Sequence, residues 1–239
     1  MLILAIETSS ERTAVAIARG AEILAENDAA SPERHGELLL PRIGELLTEA
    51  GVGFSDLEAI AVGLGPGSFT GLRVGLATAK GLAVAAGLPL RGVGSLPVLA
   101  RGAGEAGQTV VTVGDAQRGE VFAAAYRVRD QGPVEVLLSP FHTTPEAAGE
   151  QIVAALGGGL LCGAGLRRYP GLLEALPAGR FVRTDPDHDF PRGRHLCREA
   201  RALLALEGPS DLATLEPSYL RGSDAKLPDR PLKLERQSD

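Results

Sequence analysis

The sequence holds little of what disulfide-stapled, metal-bound or membrane-spanning proteins require. It has only two cysteines in 239 residues, no tryptophan and 4% aromatic residues. Two cysteines cannot build a disulfide framework or a thiolate metal site, and the apolar surroundings of Cys162 and Cys197 favour a place in the core. No apolar run approaches the roughly 20 residues of a membrane helix, and the N-terminus lacks a basic start. We therefore expect a cytoplasmic protein with no membrane partner.

Positive charge is also scarce, because 24 Lys and Arg stand against 30 Asp and Glu, a formal net charge of −6. This balance argues against a protein that is held on nucleic acid by its overall field. The hydrophobic fraction of 44% in a chain of this length is enough to bury a substantial core. One local group of arginines is interspersed with acids, and of its two interpretations we favour a solvated face over a nucleic-acid contact: Arg183, Arg192, Arg194, Arg198 and Arg201.

Short apolar runs at the start of the chain predict a β-meander. The runs 2–6, 13–18 and 21–26 are separated by polar turns, and a helix is predicted from an N-cap at Ser31 to a C-cap at Gly51. The elements that we predict after it are a strand over 57–62, a helix over 69–86, a strand over 89–93 and a short helix over 96–102. This order is typical of a mixed sheet with helices packed on it.

The second half of the chain repeats this opening, which suggests an internal duplication. Glu7 and Asp115, 108 residues apart (115 − 7), each end a first strand and precede a polar turn and a returning strand. The elements predicted here are strands over 110–114, 120–128, 134–138 and 160–162, and helices over 144–156 and 192–206. We predict an N-terminal lobe over 1–103, a C-terminal lobe over 104–221 and a polar tail over 222–239.

A glycine-rich turn connects the strand over 57–62 to the helix over 69–86. Such a turn exposes backbone N–H groups near the positive end of a helix dipole, so four residues form a candidate phosphate or nucleotide site: Gly65, Gly67, Ser68 and Gly71. The alternative is a tight turn in which Ser68 caps the helix, and spacing alone leaves both open. No Gly-Lys-Ser/Thr follows, which excludes a Walker A loop, and the spacing is one residue off the dinucleotide fingerprint.

The two predicted helices of the N-terminal lobe carry more apolar surface than one buried side needs. Between Phe69 and Leu90 the only charges are Arg73 and Lys80, so that helix is apolar almost all round. The explanation is either an unusually thick core inside a monomer or a helical protein–protein interface. For the interface we expect two rim charges, Arg73 and Lys80, and eight further contacts: His35, Leu38, Leu39, Ile43, Leu46, Leu72, Leu76 and Ala83.

No complete reaction centre is evident in the sequence. Glu7 and Asp115 could hold Mg²⁺ through water beside a phosphate, but ordinary turn chemistry is the interpretation that we favour. His35 has no second histidine one turn later, where Leu39 stands, and no Gly-x-Ser-x-Gly nucleophile elbow occurs. We therefore predict no catalytic residue, no metal site and no cofactor, while a nucleotide at a partner interface stays open.

Six segments match one known family: IETSS at 6–10, HGELLLP at 35–41, GPGSFTGLRVG at 65–75, AKGLA at 79–83, DAQRGEV at 115–121 and YLR at 219–221. They resemble the bacterial TsaB family, also called YeaZ. The resemblance implies the actin/hexokinase/Hsp70-type (ASKHA) α/β fold, with two lobes that each contain a mixed sheet and a leading meander. Two residues depart from the family pattern, because Glu7 stands where Asp is usual and Gln117 where Arg is common. These departures weaken a phosphotransfer interpretation of the two turns.

The resemblance also implies a function. Family members are partners of TsaD, a related catalytic protein, and of the ATPase TsaE, in a complex that transfers a threonylcarbamoyl group to an adenosine beside the tRNA anticodon. The resemblance implies a non-catalytic subunit that activates TsaD through the two N-lobe helices and contacts tRNA only indirectly. Without TsaD, the same surface could form a homodimer. The alternatives are an ATP- and Mg²⁺-dependent phosphotransferase of the same fold, or a peptidase, as the superfamily has been labelled.

Overall fold

The computed structural model describes residues 1–30 and 35–220. The helix start predicted at Ser31 and the tail predicted over 222–239 lie outside the described residues. Two five-stranded mixed sheets form the centre of the two lobes. No helix within the described ranges is long and apolar enough to span a membrane.

The first sheet has the strand order β3-β2-β1-β4-β5. Its strands are β1 (Leu2–Glu7), β2 (Arg12–Arg19), β3 (Glu22–Ala30), β4 (Ala59–Gly63) and β5 (Leu90–Val93). The first three strands form the predicted antiparallel meander, and β4 and β5 continue the sheet in parallel. Every residue of β1 and β4 is buried, which explains why both strands read as unbroken apolar runs.

Two helices, α1 (His35–Glu49) and α2 (Phe69–Ala86), pack on one face of this sheet and against each other. The predicted bounds of α2 are confirmed. Its N-cap is Ser68, whose hydroxyl accepts a hydrogen bond from the Gly71 amide, and its C-cap Gly87 has the left-handed φ of 64°.

The second sheet repeats the topology of the first, with the order β10-β9-β6-β7-β8. Its strands are β6 (Thr109–Gln117), β7 (Glu120–Arg127), β8 (Glu135–Thr143), β9 (Gly159–Cys162) and β10 (Phe181–Arg183). Its helices α4 (Pro145–Ala155), α5 (Ala164–Arg168) and α6 (Gly171–Ala175) take the places of α1 and α2. The predicted duplication and the two-lobed ASKHA architecture are therefore confirmed. The short elements β10, α5 and α6 were not predicted, because three to five residues show no period.

The last helix after each sheet packs on the opposite lobe. The helix α3 (Ser95–Ala103) contacts β6, β7 and β9, whereas α7 (Gly193–Glu207) contacts all five strands of the first sheet. A buried ion pair joins these two helices, since the Arg101 guanidinium donates to the Glu199 carboxylate and to the carbonyl oxygens of Arg129 and Gly132. Both ionic side chains are at most 3% exposed. A buried polar network in which each group has a partner therefore holds α3 and α7 together where they cross to the opposite lobes.

Residues 209–220, which we call the C-terminal strap, return to the first lobe. The Ser210 amide donates to the Leu90 carbonyl oxygen and the Ser218 amide to that of Leu64, each at 2.8 Å. Leu212 and Leu215 pack against the core of the first lobe between these two anchors. The strap therefore carries the last described residues to the N-terminal end of α2.

Candidate functional site

The turn after β1 is held by a buried carboxylate. The Glu7 side chain has no exposed surface, and its Oε1 accepts the Ser9 amide at 2.8 Å while its Oε2 accepts the Ser95 hydroxyl at 2.9 Å. The Ser95 Oγ in turn accepts the Gly65 amide at 3.1 Å. Burial raises the pKa of Glu7, and its hydrogen bonds lower it by less. Glu7 therefore ties the β1–β2 turn to the glycine-rich loop and to α3.

The glycines of the loop and of α2 are explained by close contact with that same turn. A Cβ at Gly67 or Gly71 would stand 2.1 Å from the backbone oxygen of Ser9 or Thr8, and a Cβ at Gly75 would stand 2.2 Å from the Thr8 Oγ1. The Thr8 hydroxyl donates to the Gly71 carbonyl oxygen at 2.8 Å. Only a residue without a side chain lets α2 lie this close to the turn.

This packing decides how the loop amides are used. The amides of Gly65, Ser68 and Gly71 donate to the Ser95 Oγ, the Ser9 carbonyl oxygen and the Ser68 Oγ, respectively. Of the four residues considered as a phosphate site, all except Gly67 thus donate their backbone N–H groups to acceptors within the chain. Of the two interpretations of this loop, the structure favours the capped tight turn.

The second candidate acid lies in a different environment. Asp115 is half-buried, and its Oδ1 accepts the Gln117 amide at 2.8 Å and the Tyr169 hydroxyl at 3.2 Å. Gln117 and Arg118 have left-handed φ values of 62° and 54° in this turn. Among residues 1–30 and 35–220, no three His, Cys, Asp or Glu side chains converge on a point that could hold a metal ion. Glu7 and Asp115 are therefore not an equivalent pair, despite their matching places in the two lobes.

The cysteines are core residues, as the sequence predicted. Both Cys162 and Cys197 are buried and unpaired in a disulfide. Burial raises the pKa of the Cys197 thiol to about 12 and raises that of Cys162 further. Both thiols are therefore protonated at neutral pH, whereas a nucleophilic cysteine needs the thiolate.

Most of the apolar side chains chosen as interface contacts are buried inside the chain itself. Six of them are at most 7% exposed: Leu39, Ile43, Leu46, Leu72, Leu76 and Ala83. Five of them belong to the core of the first lobe, and the sixth, Leu72, lies beside Gly65 of the glycine-rich turn. Their apolar period therefore marks the core side of α1 and α2. The choice of these six as surface contacts is corrected. Leu38 and Lys80 are half-buried and Arg73 is exposed, while the side chain of His35 lies outside the described set.

The outward sides of α1 and α2 present other residues. Leu40 on α1 is 55% exposed, and Phe69 and Val84 at the two ends of α2 are 53% and 70% exposed. One outward stripe of α2 is formed by four exposed residues: Arg73, Ala77, Gly81 and Val84. The signal that could have identified this stripe is the charge of Arg73, because residues four, eight and eleven positions later lie on the same side of the helix.

An exposed aromatic cluster stands at the N-terminal end of α2. The Arg73 guanidinium lies 3.8 Å from the ring centre of Phe69, and its Nε donates to the Tyr219 hydroxyl at 3.1 Å. The rings of Phe69 and Tyr219 are 5.7 Å apart, and Tyr219 is 45% exposed. These three side chains hold one another in place from two distant parts of the chain, a connection that no local pattern reveals.

Two exposed glycines lie on the same surface, and no contact among the described residues requires a glycine at either position. Gly44 in α1 and Gly81 in α2 are both exposed, and a Cβ at either position would meet no atom of the described residues within 4 Å. Glycine in a helix interior is less favourable than alanine by about 0.5–1 kcal/mol. Gly81 thus contrasts with Gly75 of the same helix, where a Cβ would collide with Thr8.

The chain is similar to known proteins of tRNA threonylcarbamoyladenosine biosynthesis. The family model described as TsaD, tRNA N6-adenosine threonylcarbamoyltransferase, matches residues 22–139. The chain is 33% identical to the tRNA threonylcarbamoyladenosine biosynthesis protein TsaB of Escherichia coli K12, over 95% of this chain and 99% of that protein. It is 40% identical to the protein of that name from Haemophilus influenzae, over 51% and 52% of the two chains. The solved structure of YeaZ from Pseudomonas aeruginosa superposes with a TM-score of 0.77 at 30% identity, covering 92% of this chain and 99% of that one.

Proposed function

This chain belongs to the TsaB (YeaZ) family, and on that premise we propose that it is the non-catalytic subunit that binds and activates a TsaD-type protein. The family takes part in the biosynthesis of tRNA threonylcarbamoyladenosine. In our proposal the outward sides of α1 and α2, with the aromatic cluster, form the surface that contacts the catalytic subunit. TsaE joins the same assembly, and the surface pairs two copies of this chain when the catalytic subunit is absent.

The observation that carries the proposal is where the exposed apolar side chains lie. Eight large hydrophobic side chains of the described residues are exposed, and four of them lie on or against α1 and α2: Leu40, Phe69, Val84 and Tyr219. Phe69 and Val84 are 15 positions apart, which corresponds to about 22 Å along a helix. A surface of that length suits a patch of about 800 Å² per partner, the size of a standard protein–protein interface.

The exposed glycines favour a helix as the contacting element. Gly44 and Gly81 leave the outward sides of α1 and α2 without side-chain bulk at mid-helix. Because helices pack 8–10 Å apart depending on the side chains between them, small residues allow the nearest approach. The partner we propose therefore lays a helix along α2, with its backbone close to Gly81.

The aromatic cluster supplies an anchor at one end of this surface. Tyrosine and arginine are enriched among the residues that dominate binding energy at interfaces. Phe69, Arg73 and Tyr219 already contact one another, so less side-chain entropy is lost when a partner covers them.

The non-catalytic part of the proposal is supported by the first turn. The carboxylate of Glu7 is enclosed by the chain and hydrogen-bonded to Ser9 and Ser95, so it does not face an open phosphate site. A phosphotransferase would instead need tight, Mg²⁺-dependent ATP binding by the isolated chain. A peptidase would need cleavage of a purified partner that a single side-chain change abolishes. Neither alternative is favoured by a specific contact in the described residues.

The proposal is tested with a matched pair of surface variants. Val84→Asp places a charge on the outward side of α2, whereas Leu206→Asp does the same at a position that is 69% exposed on α7. We expect Val84→Asp to weaken association with the TsaD-type subunit by tenfold or more, because a carboxylate would be buried without a partner. Leu206→Asp should leave association unchanged.

Association is measured by light scattering of the mixed, purified subunits, after thermal unfolding has shown that both variants fold. Leu76→Asp is unsuitable for this purpose, since Leu76 is only 7% exposed and its replacement would destabilise the lobe. Equal association of the Val84→Asp and Leu206→Asp variants would refute the proposed surface.

A further inference from the structure

A second surface, remote from the outward sides of α1 and α2, takes the form of a cleft beside α7. Its volume is about 350 Å³, and it lies between the β2–β3 turn at Gly20, the β7–β8 loop at Asp130 and the helix α7. Three arginines of α7 line it: Arg194, Arg198 and Arg201. These residues belong to the arginine group for which the sequence favoured a solvated face over a nucleic-acid contact.

The structure separates the arginines of that group into neutralised and available ones. Arg183 pairs with Asp189, and Arg192 lies 3.8 Å from Asp28. The Arg194 guanidinium donates to Oε2 of Glu26, and its backbone amide donates to Oε1. In the part of the chain that the structure describes, the remaining two make no ion pair. Arg198 donates to the backbone oxygen of Asp130 at 3.2 Å, and Arg201 is half-buried with its Nη1 beside Gly20. Arg198 also lowers the pKa of the buried Glu199, but that carboxylate is already paired with Arg101. Two guanidinium groups thus face the cleft outside ion-pair distance of any carboxylate of the described residues.

The charges around the cleft favour an anion. Among the described residues, Asp130 is the one acid that lines the cleft, and Glu26 is occupied by Arg194. Two other titratable groups line the cleft: the Cys197 thiol keeps its proton because burial raises its pKa to about 12, and His195 is neutral at pH 7 because burial lowers its pKa to about 4. The cleft therefore carries an excess of positive charge, whereas the chain as a whole has a net charge of −6.

The spacing and the lining distinguish between kinds of anion. The two available arginines, at positions 198 and 201, lie on one side of α7 and are about 4.5 Å apart along its axis, which covers one to two phosphates at the axial spacing of about 3.4 Å per phosphate in one strand of a duplex. None of the described residues that line the cleft is Phe, Tyr or Trp, so there is no platform on which a nucleobase could stack. The chemistry matches a phosphodiester backbone better than a nucleotide.

We propose that the cleft beside α7 binds the phosphate backbone of RNA through Arg198 and Arg201, and that it positions the tRNA on the assembly. This inference rests on the proposed function, which places the chain in a tRNA-modifying complex, and it replaces the expectation that tRNA is contacted only indirectly. Contacts to phosphates fix register and orientation without reading sequence. Binding through this cleft is therefore independent of RNA sequence and sensitive to salt.

The test compares two double variants that lose the same charge. Arg198→Gln/Arg201→Gln removes the free guanidinium groups of the cleft, and Arg127→Gln/Arg168→Gln removes two exposed arginines elsewhere. Binding of a fluorescent, unmodified tRNA transcript is followed by anisotropy at several salt concentrations, with the full chain alone and in complex with the TsaD-type subunit. We expect the cleft variant to bind about tenfold more weakly at low salt. Its slope of log K against log salt should fall by about 0.7–0.9 for each lost contact.

A variant that is expected to strengthen RNA binding serves as a further test, because a loss of structure could not produce that result. Asp130→Asn removes the acid of the cleft while keeping the backbone oxygen that Arg198 contacts, so tRNA binding should tighten by about two- to threefold. Its matched control is Glu174→Gln, an exposed acid on α6 whose replacement should change nothing. An RNA hairpin of unrelated sequence should respond to all four variants in the same way as the tRNA.

Three outcomes would overturn the inference. The first is that the two arginine variants bind tRNA equally with the same salt slope, and the second is that Asp130→Asn behaves like Glu174→Gln. The third is that the cleft variant loses ATP binding but keeps tRNA binding, which would assign the cleft to a free nucleotide. Light scattering distinguishes the proposed RNA binding from the proposed subunit association, because the cleft variants should associate with the TsaD-type subunit as the unmodified chain does. Failure of the unmodified chain to associate would count against the proposed function alone.

Discussion

Replacing Gly81 by alanine should strengthen the isolated protein and weaken its complex. The added Cβ meets no atom of the described residues within 4 Å, so the substitution gains only helix propensity, about 0.5–1 kcal/mol. In a protein of this size that gain corresponds to a rise in Tm of about 1–4 °C. If a partner helix lies against Gly81, the extra methyl group overpacks the contact at a cost of about 1–3 kcal/mol, which is roughly 5- to 150-fold in Kd.

The internal control for this prediction is Gly75 of the same helix. A Cβ there would stand 2.2 Å from the Thr8 Oγ1, so Gly75→Ala should destabilise the isolated chain whether or not a partner is present. Thermal unfolding measures the first effect, and titration calorimetry with the TsaD-type subunit measures the second. If Gly81→Ala raises Tm and leaves Kd within twofold of the unmodified value, no partner backbone approaches this glycine and the argument from exposed glycines fails.

Two further predictions concern the folded chain itself. Arg101→Met should lower the free energy of unfolding in urea by about 3–5 kcal/mol, because Glu199 would remain buried without its partner and two carbonyl oxygens would lose their donors; a loss below 1 kcal/mol would show that this network is not what joins the lobes. His195 has a pKa of about 4 in the folded chain against an ordinary value of 6.5, so the unfolded chain takes up the proton first as pH falls. Between pH 6.5 and pH 4 the unmodified protein should therefore lose stability relative to His195→Gln, by at most about 1.4 kcal/mol per pH unit. Urea unfolding at pH 7 and pH 5 tests this, and parallel pH dependences of the two proteins would contradict it.

The fold could be predicted because both lobes begin with the same alternation of apolar runs and polar turns. The bounds of α2 followed from a serine N-cap and a glycine C-cap, signals that act over a few residues. Strand β10 and the short helices of the second lobe lack such signals, and tertiary contacts rather than local sequence establish them. The contact between Gly71 and Thr8 joins residues 63 positions apart, so the sequence could not show why the glycines are there.

The buried side of α2 was misjudged for a physical reason. Leu72 and Leu76 lie on the core side, but Val74, Ala77 and Val84 make the rest of the helix nearly as apolar, so its hydrophobicity has little contrast between the two sides. The stronger leucine stripe packs on the sheet, and the weaker stripe marked by Arg73 faces outward. The arginines of α7 illustrate the same limit, since sequence spacing does not reveal that Glu26 neutralises Arg194 from a strand 168 positions away.

Amide hydrogen exchange of the chain, alone and mixed with a TsaD-type subunit, tests the central claim most directly. The account predicts slower exchange in peptides from α1, α2 and the C-terminal strap once the partner is added, with the strands of the second lobe unchanged. Protection confined to the second lobe, with α2 exchanging as fast as in the free chain, would contradict it.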